Sequence, residues 1–135
     1  MKRNSLQEHQ HLNIIKLISE RLLNSGYSVL ADHIDWPYGR PLPINGQHPD
    51  IFAFNAYETI IYEVQTKDTY QSRFVIEKLR SFSQNPEFRT YMVLPFTFGL
   101  NEHIPKAQEL LKKAELNVHL ATCDLKRNEI EFYLI

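Results

Sequence analysis

The chain has 135 residues, of which 43% are hydrophobic and 23% are charged, so its length and composition allow one domain, residues 1–135, to bury a core without disulfides. Its single cysteine, Cys123, excludes an intrachain disulfide and a cysteine-based zinc cluster. The formal net charge of -1 excludes a protein that coats nucleic acid by bulk charge, because such binding depends on neutralised phosphates.

Neither a secretion signal nor a membrane span is legible in the sequence. Residues 1–13 lack an apolar core and a small-residue cleavage site, and no apolar run approaches the length of a bilayer span. The single cysteine suits a reducing compartment. We therefore expect a cytoplasmic protein that does not enter a membrane.

The first predicted element is a helix over residues 5–24, which ends before Gly26, where a left-handed C-terminal position is expected. At about 100° per residue, Glu8 falls on the same stripe as the apolar residues Leu12 and Ile15. Glu8 is therefore in line with the face that is expected to pack inward.

Three predicted strands and a long loop follow the first helix. Residues 27–34 form the first strand, and the proline- and glycine-rich loop 35–48 carries Trp36, which we interpret as a packing anchor. Residues 50–54 and 59–66 are rich in Ile, Phe, Tyr, Val and Thr, and a short turn joins them. They are predicted to form a β-hairpin.

The second half of the chain predicts helices that alternate with strands. Phe74, Leu79 and Phe82 recur at helical spacing, which predicts an amphipathic helix. The predicted elements are a helix over 70–84, a strand over 89–94, a helix over 104–115, and strands over 117–123 and 129–135. The whole order predicts an α/β fold with a mixed central sheet flanked by helices.

Two acidic residues carry the strongest indication of chemistry. A hairpin turn centred on Ala56-Tyr57 places Asp50 directly opposite Glu63, on one face, with Cβ atoms roughly 4.5 to 5.5 Å apart. Gln65 shares that face because side chains alternate along a strand. Two carboxylates this close repel each other unless a cation or a proton lies between them, and a hard divalent cation is the simplest resolution.

Simpler interpretations of the same residues stay open. An acidic residue that opens a strand is often only a solvated cap, and Glu63 alone would be an edge-strand charge. Glu8, in a first helical turn, also suits the helix dipole. His48 adjoins the acidic pair and is a candidate to line the site. Lys78 and Arg80 are explained equally well as phosphate contacts or as a solvated helix face.

A short motif gives a family resemblance. Pro49-Asp50, followed after an apolar strand and a turn by Glu63-Val64-Gln65, resembles the signature of the PD-(D/E)XK nuclease superfamily, which includes restriction endonucleases and archaeal Holliday-junction resolvases. The element order over residues 5–95 also resembles that superfamily's restriction-endonuclease-like αβββαβ core, here with an added C-terminal helix and two strands. The resemblance implies that Asp50 and Glu63 ligate Mg²⁺ or Mn²⁺, and that the Val64 carbonyl adds a ligand. It also implies an acidic ligand on the first helix, and Glu8 is the matching position.

Gln65 departs from the family pattern, which has a lysine at this position. That lysine usually orients the attacking water and offsets negative charge as the phosphate reacts. A glutamine can orient a water but supplies no charge. Lys67 lies two residues further on, on the same face, and is the candidate substitute provided that the strand continues that far.

The resemblance implies a metal-dependent nuclease that hydrolyses phosphodiester bonds, with DNA as the expected partner. Asp50 and Glu63 would hold the metal, and Gln65 or Lys67 would position water and phosphate. Such nucleases often form homodimers, although no interface is legible in the sequence. The alternative is a catalytically silent nuclease-like domain that binds nucleic acid or a protein partner. The sequence leaves open whether the substrate is DNA or RNA, and whether it is branched or linear.

Overall fold

The computed structural model describes residues 5–96 and 102–133. The secondary-structure elements in these ranges follow the predicted order. The helices are α1 (Ser5–Asn24), α2 (Arg73–Ser83) and α3 (His103–Lys113), and the strands are β1 (Ser28–Ala31), β2 (Ile51–Phe54), β3 (Thr59–Val64), β4 (Phe88–Pro95), β5 (Val118–Asp124) and β6 (Glu129–Tyr133). The end of the last predicted strand, residues 134–135, lies outside the described residues. None of the helices in these ranges has the length and apolarity that crossing a membrane requires.

One mixed sheet contains all six of these strands, in the order β1-β2-β3-β4-β5-β6. Strands β1, β2 and β3 are antiparallel neighbours, β3, β4 and β5 run parallel, and β5 and β6 are antiparallel again. Helices α2 and α3 connect the parallel strands, because parallel neighbours need a crossover connection. The predicted α/β fold, with a mixed sheet flanked by helices, is confirmed.

The sheet is packed on both faces, which gives the chain three layers. Helix α1 covers one face, and its Ile15 belongs to the same buried cluster as Val93 of β4. Helices α2 and α3 cover the other face, where Leu79 and Leu111 cluster with Met92. The neighbours Met92 and Val93 belong to different clusters because successive side chains of a strand point to opposite faces.

The inward stripe of α1 is rotated relative to the predicted one. It runs through His11 and Ile15, both buried, whereas Leu12 is only half-buried. The Glu8 side chain, predicted to be in line with the inward face, is 46% exposed. The helix ends as predicted, with Gly26 in the left-handed region at φ 92°. A histidine therefore occupies an inward position that the sequence pattern assigned to its apolar neighbour.

Strand β3 is shorter than predicted, because it ends at Val64 and not at Thr66. The Thr66 N–H donates to the Thr69 Oγ1 at 2.9 Å, and the Thr69 N–H donates to the Thr66 carbonyl at 3.2 Å. These local hydrogen bonds replace the strand ladder with a turn. Lys67 lies exposed in that turn. Lys67 would share a face with Gln65 only if the strand continued to residue 67, and it does not.

Helix α2 starts later than predicted, after Ser72, whose side chain accepts the Val75 N–H at 3.3 Å as an N-cap. Its buried stripe consists of Val75, Leu79 and Phe82. Phe74 lies off this stripe and is 67% exposed. The prediction that Phe74 belongs to the apolar face of this helix is therefore wrong.

The buried thiol of Cys123 gives the first testable expectation. Cys123 is 1% exposed in the cluster under α1, and burial raises the pKa of its thiol to about 11. Because the thiolate is the reactive form, we expect the native protein to react with iodoacetamide at pH 8 roughly 10²-fold more slowly than the protein in denaturant. Mass spectrometry of timed samples measures both rates. Equal rates would show that the thiol is open to solvent in the native state.

Candidate active site

The hairpin register places the two acids as the sequence predicts. Ile51 of β2 pairs with Tyr62 of β3, so Asp50, which precedes Ile51, comes opposite Glu63, which follows Tyr62. Both carboxylates are only 2% exposed, and both line one hollow of about 200 Å³. The predicted register is confirmed, and the structure brings the two acids together.

Asp50 is held by groups from three elements. Its Oδ2 accepts the Val64 N–H at 2.8 Å and lies 3.4 Å from the His11 Nε2. Its Oδ1 lies 3.3 Å from the Nε2 of His33. Burial raises the pKa of Asp50, but His11 and His33 outweigh this effect and bring that pKa well below its ordinary value. Asp50 is therefore ionised at neutral pH despite its burial.

The two histidines beside Asp50 were not among the predicted site residues. His11 faces inward from α1, and its spacing from Ile15 is the sequence signal that would have placed it on the buried stripe. His33 follows β1, and its left-handed backbone, at φ 68°, marks the early end of that strand. The pairing of β1 with β2 brings it to Asp50, where the neighbouring acid shifts the pKa of His33 upward.

The neighbours of Glu63 offset the cost of burying its charge less well than those of Asp50 do. Its Oε2 lies 3.0 Å from the Lys78 Nζ of α2 and accepts a hydrogen bond from the Gln65 Nε2 at 2.9 Å. Its Oε1 is buried and has no hydrogen-bond partner among the described residues. Burial, together with the charge of Asp50, raises the pKa of Glu63 well above its ordinary value. Lys78 therefore does not offset the combined effect of burial and the Asp50 charge on Glu63.

Gln65 lies at the predicted place but is fixed at both ends of its carboxamide. Its Nε2 donates to Glu63, and its Oε1 accepts a hydrogen bond from the Thr69 Oγ1 at 2.7 Å. Its side chain is buried and lines the same hollow as the two acids. Gln65 therefore orients the Glu63 carboxylate.

The structure supplies a cation to the site, but from α2 and not from the end of β3. Lys78 lines the hollow beside Asp50 and Glu63, and its side chain is only 14% exposed. Lys67, the predicted substitute for the motif lysine, lines a different hollow of about 390 Å³ near the start of α3. Lys78, and not Lys67, is therefore the lysine that lies beside the two acids.

The remaining predicted residues take different places. The backbone of Val64 faces Asp50, since its N–H donates to that carboxylate. His11 lies between Asp50 and Glu8, whose Oε1 is 3.9 Å from the His11 Nδ1. The structure therefore links Glu8 to Asp50 through this histidine. His48 is exposed and is not part of the hollow that the two acids line.

The donor set suits a hard divalent cation. Asp50 and Glu63 offer buried carboxylate oxygens, and the Glu63 Oε1 lacks a partner within the described ranges. Across residues 5–96 and 102–133, no group of three or more His, Cys, Asp or Glu side chains is arranged to hold a metal ion. Mg²⁺ is usually bound in proteins by one or two carboxylates, with waters and substrate phosphate completing the shell. A two-acid site fits that pattern.

The raised pKa of Glu63 predicts that this residue destabilises the metal-free protein. The pKa of this carboxyl is higher in the folded than in the unfolded state, so ionising it costs more in the folded protein. The folded protein therefore becomes less stable as the pH rises above the ordinary pKa of glutamate. Glu63→Gln removes that loss, so we expect the variant without metal to be more stable at pH 8 by about 1 to 2 kcal/mol, or roughly 3 to 10 °C in Tm. The gain should shrink toward pH 4.

Thermal unfolding with chelator at several pH values measures this difference. Glu77→Gln, on the exposed side of α2, is the matched control and should leave Tm unchanged. A Glu63→Gln variant that is less stable than wild type at pH 8 would show that the contact of Glu63 with Lys78 outweighs its burial.

Comparisons with known proteins add a distant structural likeness. No description of a known protein family matches the chain, and no curated sequence matches it. Among solved structures, the chain matches that of Pyrococcus furiosus SfsA in complex with Ca²⁺, with 16% sequence identity and a TM-score of 0.46. The match covers 88% of this chain and 59% of the SfsA chain, so this chain spans less than two thirds of that protein.

Proposed function

We propose that the protein is a metal-dependent phosphodiesterase of the PD-(D/E)XK type that acts on nucleic acid. The observation that carries the proposal is the pair of buried carboxylates, Asp50 and Glu63, which share one hollow with the cation of Lys78. The order of elements from α1 to β4 supports it, because this order is that of the superfamily core.

The acids would hold Mg²⁺ or Mn²⁺, with the Val64 carbonyl as a further ligand. Such an ion supplies a water of lowered pKa and offsets the charge of the phosphate. Asp50 is already ionised before a metal binds, because His11 and His33 hold the pKa of Asp50 below its ordinary value. The Val64 N–H fixes one Asp50 oxygen.

Lys78 supplies the charge that Gln65 does not. Its ammonium group lies in the hollow at 3.0 Å from Glu63, where a phosphate oxygen would also approach. A fixed cation at that position stabilises the negative charge that develops on the phosphate as the attacking oxygen bonds to phosphorus. Gln65, which is fixed between Glu63 and Thr69, keeps the carboxylate in place. The motif function is thus divided between a positioning amide directly after β3 and a cation on α2.

Gln65 also favours a second candidate function, a catalytically silent domain that binds nucleic acid. Its carboxamide carries no charge, and both of its ends are already hydrogen-bonded within the site. If Lys78 only neutralises Glu63, the domain keeps the shape of a nuclease site without its chemistry.

Cleavage assays separate the two candidates. A supercoiled plasmid, a single strand, an RNA strand and a four-way junction are each incubated with the protein in Mg²⁺, in Mn²⁺ and in chelator. The proposal expects cleavage of at least one substrate that depends on the metal and stops in chelator. Binding without cleavage under every metal condition would replace the first candidate with the second.

A further inference from the structure

We propose that Phe74 is a stacking platform for an unpaired base, and that the site therefore takes single-stranded nucleic acid. This inference rests on the proposed function, which it deepens by naming the substrate class. The base would lie against the exposed ring while its phosphate reaches Lys78.

The exposure of Phe74 is not explained by packing. The buried stripe of α2 consists of Val75, Leu79 and Phe82, and Phe74 lies off it. Its side chain is 67% exposed, on the first turn of the helix. Single exposed hydrophobic side chains are common on protein surfaces, but Phe74 also lines the hollow of the two acids, and this position points to a ligand with an apolar face.

The position of Phe74 ties it to the site. It lines the hollow that also contains Asp50, Glu63 and Lys78, and lies four residues, about one helical turn, before Lys78. Side chains at this spacing are neighbours on a helix surface. One face of α2 therefore presents an aromatic ring and a cation together, which match the base and the phosphate of one nucleotide.

The charge of the chain favours stacking over backbone contacts. The formal net charge is -1, and the cationic groups along the hollow in the described structure are Lys78 and, when protonated, His33. Affinity from neutralised phosphates is correspondingly small. Stacking on an aromatic ring contributes about 1 to 3 kcal/mol per base and requires that the base be unpaired. A duplex keeps its bases stacked on each other and gains nothing from Phe74.

Binding in chelator, where no strand is cut, tests the proposal without the chemistry. Fluorescence anisotropy measures Kd for a labelled single-stranded oligodeoxynucleotide and for the corresponding duplex, and quenching of 2-aminopurine reports stacking directly. Phe74→Ala should weaken single-strand binding by about 5- to 150-fold and abolish the quenching, while duplex binding stays the same. Phe74→Trp should preserve both signals.

Tyr57→Ala is the matched control, because Tyr57 is 94% exposed at the opposite end of the hairpin and should not affect binding. Single-strand binding by Phe74→Ala within twofold of wild type would overturn the proposal, as would tighter binding of the duplex by wild type. The result is independent of cleavage. A protein that binds single strands through Phe74 but cuts nothing keeps this inference and loses the proposed catalysis, whereas a protein that cuts but ignores Phe74→Ala does the reverse.

Discussion

Asp50→Asn is expected to lower metal-dependent cleavage by about 10³-fold or more and to abolish the rise in Tm that we expect Mn²⁺ to give the wild-type protein. The substitution removes the negative charge but keeps an oxygen that can accept the Val64 N–H. The fold should therefore persist while the metal loses its ionised ligand. Burial of Asp50 strengthens the expected effect, because a cation in such a site has little water to replace the lost charge.

Single-turnover cleavage and thermal unfolding with and without Mn²⁺ measure the two expected losses. Asp124→Asn is the matched control, because Asp124 is a partly buried aspartate that, like Asp50, accepts backbone N–H groups, here from Lys126 and Arg127. That variant should cut and bind Mn²⁺ like wild type. An Asp50→Asn protein that folds and retains cleavage would move the active site elsewhere in the chain.

Lys78→Met should lower the cleavage rate by about 10² to 10³-fold, the usual effect of removing one well-placed electrostatic group. Its ammonium group lies 3.0 Å from the Glu63 Oε2 and shares the hollow with both acids. Mn²⁺ binding should persist or tighten, because the variant no longer places a cation against a metal ligand. This combination of a slow reaction with intact metal binding distinguishes a catalytic charge from a structural ion pair.

Lys67→Met tests which lysine supplies the charge: Lys78, which the structure places at the site, or Lys67, which the alternation of side chains along the predicted strand suggested. Lys67 is exposed and lines the other hollow, so its removal should change the cleavage rate by less than about twofold. Both variants are compared in single-turnover assays with saturating Mn²⁺. A large effect of Lys67→Met together with a small effect of Lys78→Met would show that the turn after β3 rearranges when substrate binds.

The acid pair was predictable because its geometry is local. A hairpin with a short turn has its register set by that turn, so the sequence positions of Asp50 and Glu63 were enough to place them opposite each other. The alternation of side chains along the predicted strand 59–66 placed Gln65 on the same face, and Gln65 does contact Glu63 although β3 ends at Val64. The mixed sheet followed from the order of strands and helices, since parallel neighbours need helical crossovers.

Residues contributed by other elements could not be placed from the sequence. Lys78 reaches Glu63 across the packing of α2 on the sheet, and His33 reaches Asp50 through the pairing of β1 with β2. Such contacts depend on how separate elements pack, which periodicity does not specify. The wrong prediction for Lys67 has a local cause. Thr66 has the β-branched side chain typical of strands, but its backbone N–H is hydrogen-bonded to the Thr69 side chain in a turn.

The most direct test of the account is a titration of the wild-type protein, Asp50→Asn and Glu63→Gln with Mn²⁺, followed by the electron paramagnetic resonance signal of free Mn²⁺. The account predicts one saturable Mn²⁺ site in the wild-type protein, displaced by excess Mg²⁺ and lost in both variants. It also predicts that Lys78→Met keeps the site. Wild-type protein that binds no Mn²⁺, or variants of both acids that bind it as tightly as wild type, would contradict the assignment of Asp50 and Glu63 as the metal ligands.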